Sequence, residues 1–344
     1  MKKIWIISLI FSIQLSIHAK NKTAEDYYIS AYNEISSMLS GQVSASIKRA
    51  VFLAEWAYYE GKLDYNKDFC DEIKRIANYI NLFYNVNKLN RFKTGKQMAL
   101  NEYFFRPYSG NGYKPYTYDF ENFAKNEDSI ENQFVSRVLK THKGQCHSLP
   151  WMYKILAEEI GANVSIARAP GHCYIMYKDK DNLTPEEWIN LELTIHHMVP
   201  SFSIKEEHSV SDSAIIVGTY MSPLSDIETI ACQLADLALG YYKKFNRYDK
   251  FTYYCTSKSL EFYPKNPIAW IIRGKSLESL IEKYLEQRNF VIDKYATRLI
   301  QLAIDSKLQL DKTFMTIESD ETSKQRRQKI IESQNTPIKK IIIQ

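Results

Sequence analysis

Apolar residues recur at helical spacing in three successive segments near the start of the chain, Thr23 to Gly41, Val43 to Gly61 and Asp64 to about Val86, each closed by a turn signal. They predict an α-helical N-terminal region whose central helix carries Ala50-Val51-Phe52-Leu53-Ala54-Glu55-Trp56-Ala57-Tyr58. A shorter helix is expected near Gln97 to Phe105. It is followed by a loop rich in Tyr, Gly and Pro, Pro107 to Asp119, a candidate wall for a cleft. After Ser129 the pattern changes. Leu149, Met152, Ile155, Leu156 and Ile160 fall at helical spacing and stop at Gly161, with Pro150 in the first turn where proline is tolerated.

Two strands are expected next. From His172, Tyr174 and Met176 share one face while Cys173, Ile175 and Tyr177 take the other. From Trp188 to Thr194, Ile189, Leu191 and Leu193 alternate with Asn190 and Glu192, which emerge together on the opposite face. A polar stretch, Ser203 to Ser213, precedes Ala214 to Val217, which reads as a further short strand. Beyond Pro223 the helical period returns in Leu234 to Tyr242, Phe251 to Phe262 and Ile268 to Leu280. The fold class is therefore α+β, a helix packed on an antiparallel sheet and flanked by helical regions.

Composition agrees with long helices. Only 11 glycines and 10 prolines punctuate 344 residues. The 45 basic and 40 acidic residues are too evenly balanced for a nucleic-acid groove, and no aromatic-basic motif suggests one. At the N-terminus, Lys2 and Lys3 precede an apolar run from Ile4 to Ile17, and Ile17-His18-Ala19 resembles a small-residue cleavage site. Residues 1–19 thus read as a signal peptide, too short for a stable membrane anchor, and the mature protein is expected to be periplasmic or secreted. The remaining length, about 325 residues, is enough for two packed units. Export implies an oxidising compartment, yet the five cysteines, Cys70, Cys146, Cys173, Cys232 and Cys255, are odd in number, so at least one thiol stays free.

The chemistry concentrates in Gly144-Gln145-Cys146-His147-Ser148-Leu149-Pro150, Pro170-Gly171-His172 and Trp188-Ile189-Asn190-Leu191-Glu192-Leu193-Thr194. These supply a thiol, an imidazole and a carboxylate in chain order. A thiol at a helix start, beside an imidazolium, is stabilised as the nucleophilic thiolate, and free N–H groups there can bind an oxyanion. A carboxylate would orient the imidazole. Asn190 is an alternative orienting group, and Gln133 and Gln145 are candidate side-chain oxyanion donors. His196 and His197 read as loop residues. A zinc site from Cys146, His147, His172 and Cys173 is disfavoured because strand alternation points His172 and Cys173 to opposite faces, so no metal or cofactor is expected.

These residues resemble the bacterial transglutaminase-like superfamily, papain-like cysteine enzymes with a Cys, His, acid core. Gly144 and Cys146 match its glycine two residues before the cysteine, Gly171-His172 its strand start, and Trp188, Glu192 and Thr194 its third motif. The likeness covers roughly residues 130 to 200, with Glu192 where Asp is usual and no acidic position after the nucleophile. It implies a transglutaminase-like core at 129–222, between a helical region at 20–128 and a second one at 223–317. In that second region Ser259-Leu260-Glu261-Phe262-Tyr263-Pro264-Lys265-Asn266-Pro267 resembles a tetratricopeptide boundary. Residues 318–344 form a charged tail with Lys324, Arg326, Arg327 and Lys329.

Two functions remain open at this point. The first is an exported cysteine hydrolase that attacks a peptide, protein or amide substrate through a thioester on Cys146, with His172 as base and Glu192 as its orienting acid. The second is an inactive binding module that engages a protein partner through its C-terminal helices.

Overall fold

The computed structural model describes residues 22–124, 129–316 and Gln328. The expected signal peptide and nearly all of the charged tail lie outside these residues.

The chain opens with α1 (Ala24–Leu39) and α2 (Ile47–Tyr58), then a π-helical turn at Asn66–Cys70 that leads directly into α3 (Asp71–Val86), and α4 (Gly95–Phe105). Thr23 starts α1 with a reciprocal cap. Its hydroxyl accepts from the Asp26 N–H at 3.3 Å, and the Asp26 carboxylate accepts from the Thr23 N–H at 2.7 Å. Next come β1 (Thr117–Tyr118), α5 (Phe120–Ala124), α6 (Val135–Thr141), β2 (Lys143–Gly144) and α7 (Ser148–Ile160). Gly161, at φ 68°, ends α7 in the left-handed conformation that glycine adopts without strain.

The sheet follows as β3 (Ser165–Ala169), β4 (His172–Lys178), β5 (Trp188–Glu192) and β6 (His197–Val199), ordered β3-β4-β5-β6 and antiparallel throughout. His197 therefore opens a strand rather than lying in a loop. Two short helices, α8 (Ser201–Glu207) and α9 (Asp212–Ile216), then cover the sheet. The strand expected at Ala214 to Val217 is thus a helix. Ser211 caps it by accepting from the Ala214 N–H, and this local hydrogen bond outweighs the β-propensity of a four-residue apolar run.

The C-terminal helices are α10 (Asp226–Phe245), α11 (Lys250–Phe262), α12 (Pro267–Gln287) and α13 (Lys294–Asp311). Each packs against the next, and α10 also packs against α1 and α2. α13 lies within the helical region expected over 223–317, though no separate helix was delimited there. No helix among the described residues is long and apolar enough to cross a membrane.

One hydrophobic cluster runs from Tyr28 in α1 to Ile272 in α12, taking in α7 and the sheet face that carries Ile175, Tyr177, Ile189 and Leu191. The N-terminal helices, the sheet and the C-terminal helices therefore share a core. A second cluster occupies the other face, where Ala167, Ala169, Tyr174 and Met176 meet Ile204, Val210 and Ala214 from α8, its exit and α9. The sheet is buried on both sides. That burial is why polar groups on its second face sit in a low-dielectric setting rather than in water.

Candidate active site

The turn that carries Cys146 is built by close approach. Gly144 ends β2, and a Cβ there would lie 2.9 Å from Leu149 Cγ, Ser148 Oγ and Val138 Cγ2, so only glycine fits. Ser148 is fully buried; its hydroxyl accepts from the Gln145 N–H at 2.9 Å and donates to the Asn132 carbonyl at 3.1 Å. This locks the backbone around Cys146, two residues ahead of the first helical residue of α7. Pro150 is the third residue of that helix, within the first turn, where N–H groups lack intrahelical partners. Below the turn, Glu55 of α2 accepts from the Val135 and Ser136 N–H groups at 2.7 and 3.0 Å, tying the N-terminal helices to α6; burial pushes its carboxyl up to about 7.

The imidazole comes from a hairpin. Ala169 pairs with His172 across the two-residue turn Pro170-Gly171, with Gly171 at φ 63°, the sign that a Pro-Gly type II turn requires. The turn presents the Gly171 carbonyl 3.8 Å from Cys146 Sγ, and His172 follows as the first residue of β4. Ile175 pairs with Leu191, so the same antiparallel register sets Glu192 diagonal to His172 on one face. The Glu side chain spans this diagonal. Its Oε2 lies 2.5 Å from His172 Nε2, while Oε1 accepts from the Thr194 N–H at 3.1 Å and hydroxyl at 2.8 Å.

Burial opposes charge on both partners, and their attraction wins. For His172, desolvation alone would depress the ring, but the Glu192 charge and the hydrogen bonds to Cys146 and Glu192 raise it to about 10. For Glu192, desolvation alone would raise the carboxyl, but His172 and the two Thr194 donors hold it below the ordinary carboxylate range. The ring therefore keeps its proton near neutral pH. With Nε2 committed to Glu192, Nδ1 is the nitrogen left for the Cys146 sulfur. The other four thiols are buried, and burial pushes Cys173 and Cys232 up to about 12.

The remaining candidates separate. Asn190 turns away from the imidazole; its Nδ2 donates to Ser201 Oγ at 3.0 Å and to the Val199 carbonyl at 3.4 Å. Gln133 lines the cleft that holds Cys146 and His172, whereas Gln145 does not. His147 sits beside Cys146 with Trp151 Nε1–H donating to its Nε2 at 2.9 Å, so its Nδ1 faces the Gln133 carbonyl at 3.3 Å. Its Nε2 also lies 3.4 Å from Asp236 Oδ2. His172 and Cys173 do face opposite sides of the sheet, His172 toward Glu192 and Cys173 into the main core. His196 occupies the turn after β5 and stacks on Phe105 at 4.6 Å.

The cleft has a volume of about 400 Å³. Its far wall comes from α10 and α12 through Asp236, Leu239, Ile268 and Ile271, and from Met315 and Thr316 beyond α13. The loop from Pro107 to Asp119 contributes nothing to it. Tyr116 of that loop instead packs on Phe104 and stacks on His142, and the end of the loop braces the turn that carries Cys146, with the Asp119 N–H donating to the Gly144 carbonyl at 2.8 Å. Sequence reasoning missed three residues that shape the site, Ser148, Arg168 and His208. Only Ser148 had a local signal, a hydroxyl at a helix start.

A scan against protein-family models and searches of curated proteins and of solved structures found no match to this chain.

Proposed function

We propose that this protein is an exported cysteine acyl-transfer enzyme of transglutaminase-like type, hydrolysing a peptide or amide bond through a thioester on Cys146. The observation that carries the reading is the convergence of three side chains from separate elements. Cys146 precedes α7 with its sulfur 3.8 Å from the carbonyl of Gly171, the residue before His172, whose ring is raised in part by Cys146 and meets Glu192 through Nε2 at 2.5 Å.

In this scheme the Cys146 thiolate attacks the substrate carbonyl carbon. The developing oxyanion is met by the Cys146 N–H, which donates to no protein acceptor among the described residues, and by the Gln133 side chain. The carbon–nitrogen bond breaks as the His172 imidazolium gives its proton to the leaving nitrogen. The neutral ring then takes a proton from water, whose oxygen attacks the thioester and releases the acid and the thiolate. Glu192 stabilises the imidazolium and fixes its orientation.

The test is the rate of iodoacetamide labelling at Cys146 from pH 5 to 9, resolved by peptide mass spectrometry, in the wild type and in His172→Ala. A rate already high near pH 6 that collapses in the variant supports an imidazole-activated thiolate. Slow labelling at pH 6 in both proteins sinks the enzyme reading and favours a binding module that uses its C-terminal helices.

A further inference from the structure

Arg168 on β3 is 5 % exposed and lines the same cleft as Cys146 and His172. Its register partner is Cys173, one position along from the Ala169–His172 pair, so it stands just behind the hairpin turn that meets the nucleophile. Nη1 donates to Asn266 Oδ1 at 3.2 Å, but that oxygen also accepts from the Ala269 N–H. Nε is buried with no hydrogen-bond partner.

Arg168 forms no ion pair among the described residues. The nearby carboxylate on the cleft wall, Asp236, accepts from Gln233 Nε2 at 2.9 Å and favours the Arg168 charge without reaching ion-pair distance. Burial this deep, with no ion-pair partner and an unpaired Nε, leaves the guanidinium donors incompletely satisfied. Guanidinium also has the planar donor geometry that matches a carboxylate. A cleft of about 400 Å³ takes only a fragment the size of a small ligand, so an anion on Arg168 remains close to a carbonyl at Cys146.

We propose that Arg168 is a substrate-binding residue that pairs with a carboxylate adjacent to the scissile bond, so that the enzyme acts on amide substrates that carry a carboxylate beside that bond. The proposal rests on the cysteine-enzyme reading above. The carboxylate is either a peptide C-terminus or an Asp or Glu side chain.

The experiment compares iodoacetate with iodoacetamide at Cys146 in the full chain, in the wild type, Arg168→Gln and Arg168→Lys. The two reagents differ in the carboxylate. The ratio of iodoacetate to iodoacetamide rates should fall about tenfold in Arg168→Gln and partly recover in Arg168→Lys. A ratio that does not respond to Arg168→Gln overturns the proposal and leaves the enzyme reading standing. Slow labelling by both reagents in the wild type overturns the enzyme reading and the proposal with it.

A second measurement needs no variant. The wild type is labelled with iodoacetamide in the presence of N-acetyl-dialanine, which has a free terminal carboxylate, or N-acetyl-aspartate N-methylamide, which has only the side-chain carboxylate. Protection by the first assigns a C-terminal carboxylate, and protection by the second an acidic side chain. Protection by neither overturns the proposal.

Discussion

The His172 imidazole lies face to face with the ring of His208, with centroids 4.5 Å apart and planes inclined by 13°. His208 follows α8 and is buried, so the helix that covers the sheet also packs a ring against one face of the His172 imidazole. Tyr174 is nearly parallel to the same ring at 6.3 Å. The imidazole is thus fixed edgewise by Glu192 and flatwise by its aromatic neighbours.

Replacing His208 by Ala should free the His172 ring to tilt and admit water to its face. A ring face over a cation contributes about 1 kcal/mol, roughly a fivefold loss in the iodoacetamide rate at Cys146. His208→Phe keeps a flat ring and should retain most of the rate. Equal losses in both variants would mean that His208 acts through a polar contact rather than by stacking.

Glu192→Gln should lower the His172 ring from about 10 toward its ordinary range, because the charge and charge-assisted hydrogen bond that raise it are gone. Followed by NMR titration of the ring, the midpoint should move down by more than one pH unit. An unmoved midpoint would show that Glu192 does not stabilise the imidazolium.

The same pair predicts a pH signature in stability. His172 is raised from 6.5, so its contribution is whole below that value and is lost as pH rises through about 10. Glu192 is lowered from 4.5, so its contribution is present above that value and is lost as pH falls through its depressed range. The gap in melting temperature between wild type and Glu192→Gln should therefore be largest between about pH 4.5 and 6.5 and narrow toward pH 10. A gap independent of pH would contradict the ion pair.

Gly144→Ala should destabilise the protein by about 1–3 kcal/mol, the usual cost of overpacking a tight core. The new methyl group would collide with the side chains of Val138, Ser148 and Leu149 at once. The Cys146 turn must then shift, so labelling at Cys146 should slow more than global stability alone explains. Chemical denaturation and labelling of the folded variant separate the two effects.

Ser148→Ala removes the acceptor of the Gln145 N–H and leaves it unpaired beneath the helix start. The expected cost is about 1–3 kcal/mol. Ser148→Thr, which keeps the hydroxyl, should restore the hydrogen bond only if the buried site has room for the extra methyl group. Denaturation of the two variants decides whether hydrogen bonding or packing sets the requirement.

Much of the architecture was legible because each segment carries its own instructions. The three N-terminal helices, α7 with its Gly161 stop, and the alternating faces of β4 and β5 follow from local periodicity and capping. So did the placement of Cys146 ahead of a helix and of His172 and Glu192 on strands. α9 was misread because four apolar residues carry no decisive period, and the Ser211 cap settled its form.

What the sequence by itself determined was which residues share a face, since φ/ψ preference and side-chain period are local properties of the chain. Only the tertiary structure decided which faces meet. It chose Glu192 over Asn190 by the diagonal register of β4 and β5, brought His208 onto His172 by folding α8 over the sheet, and set Arg168 in a cleft walled by α10 and α12. Those choices depend on contacts between residues far apart in the chain, where burial changes the energy of a charge that no local pattern can register.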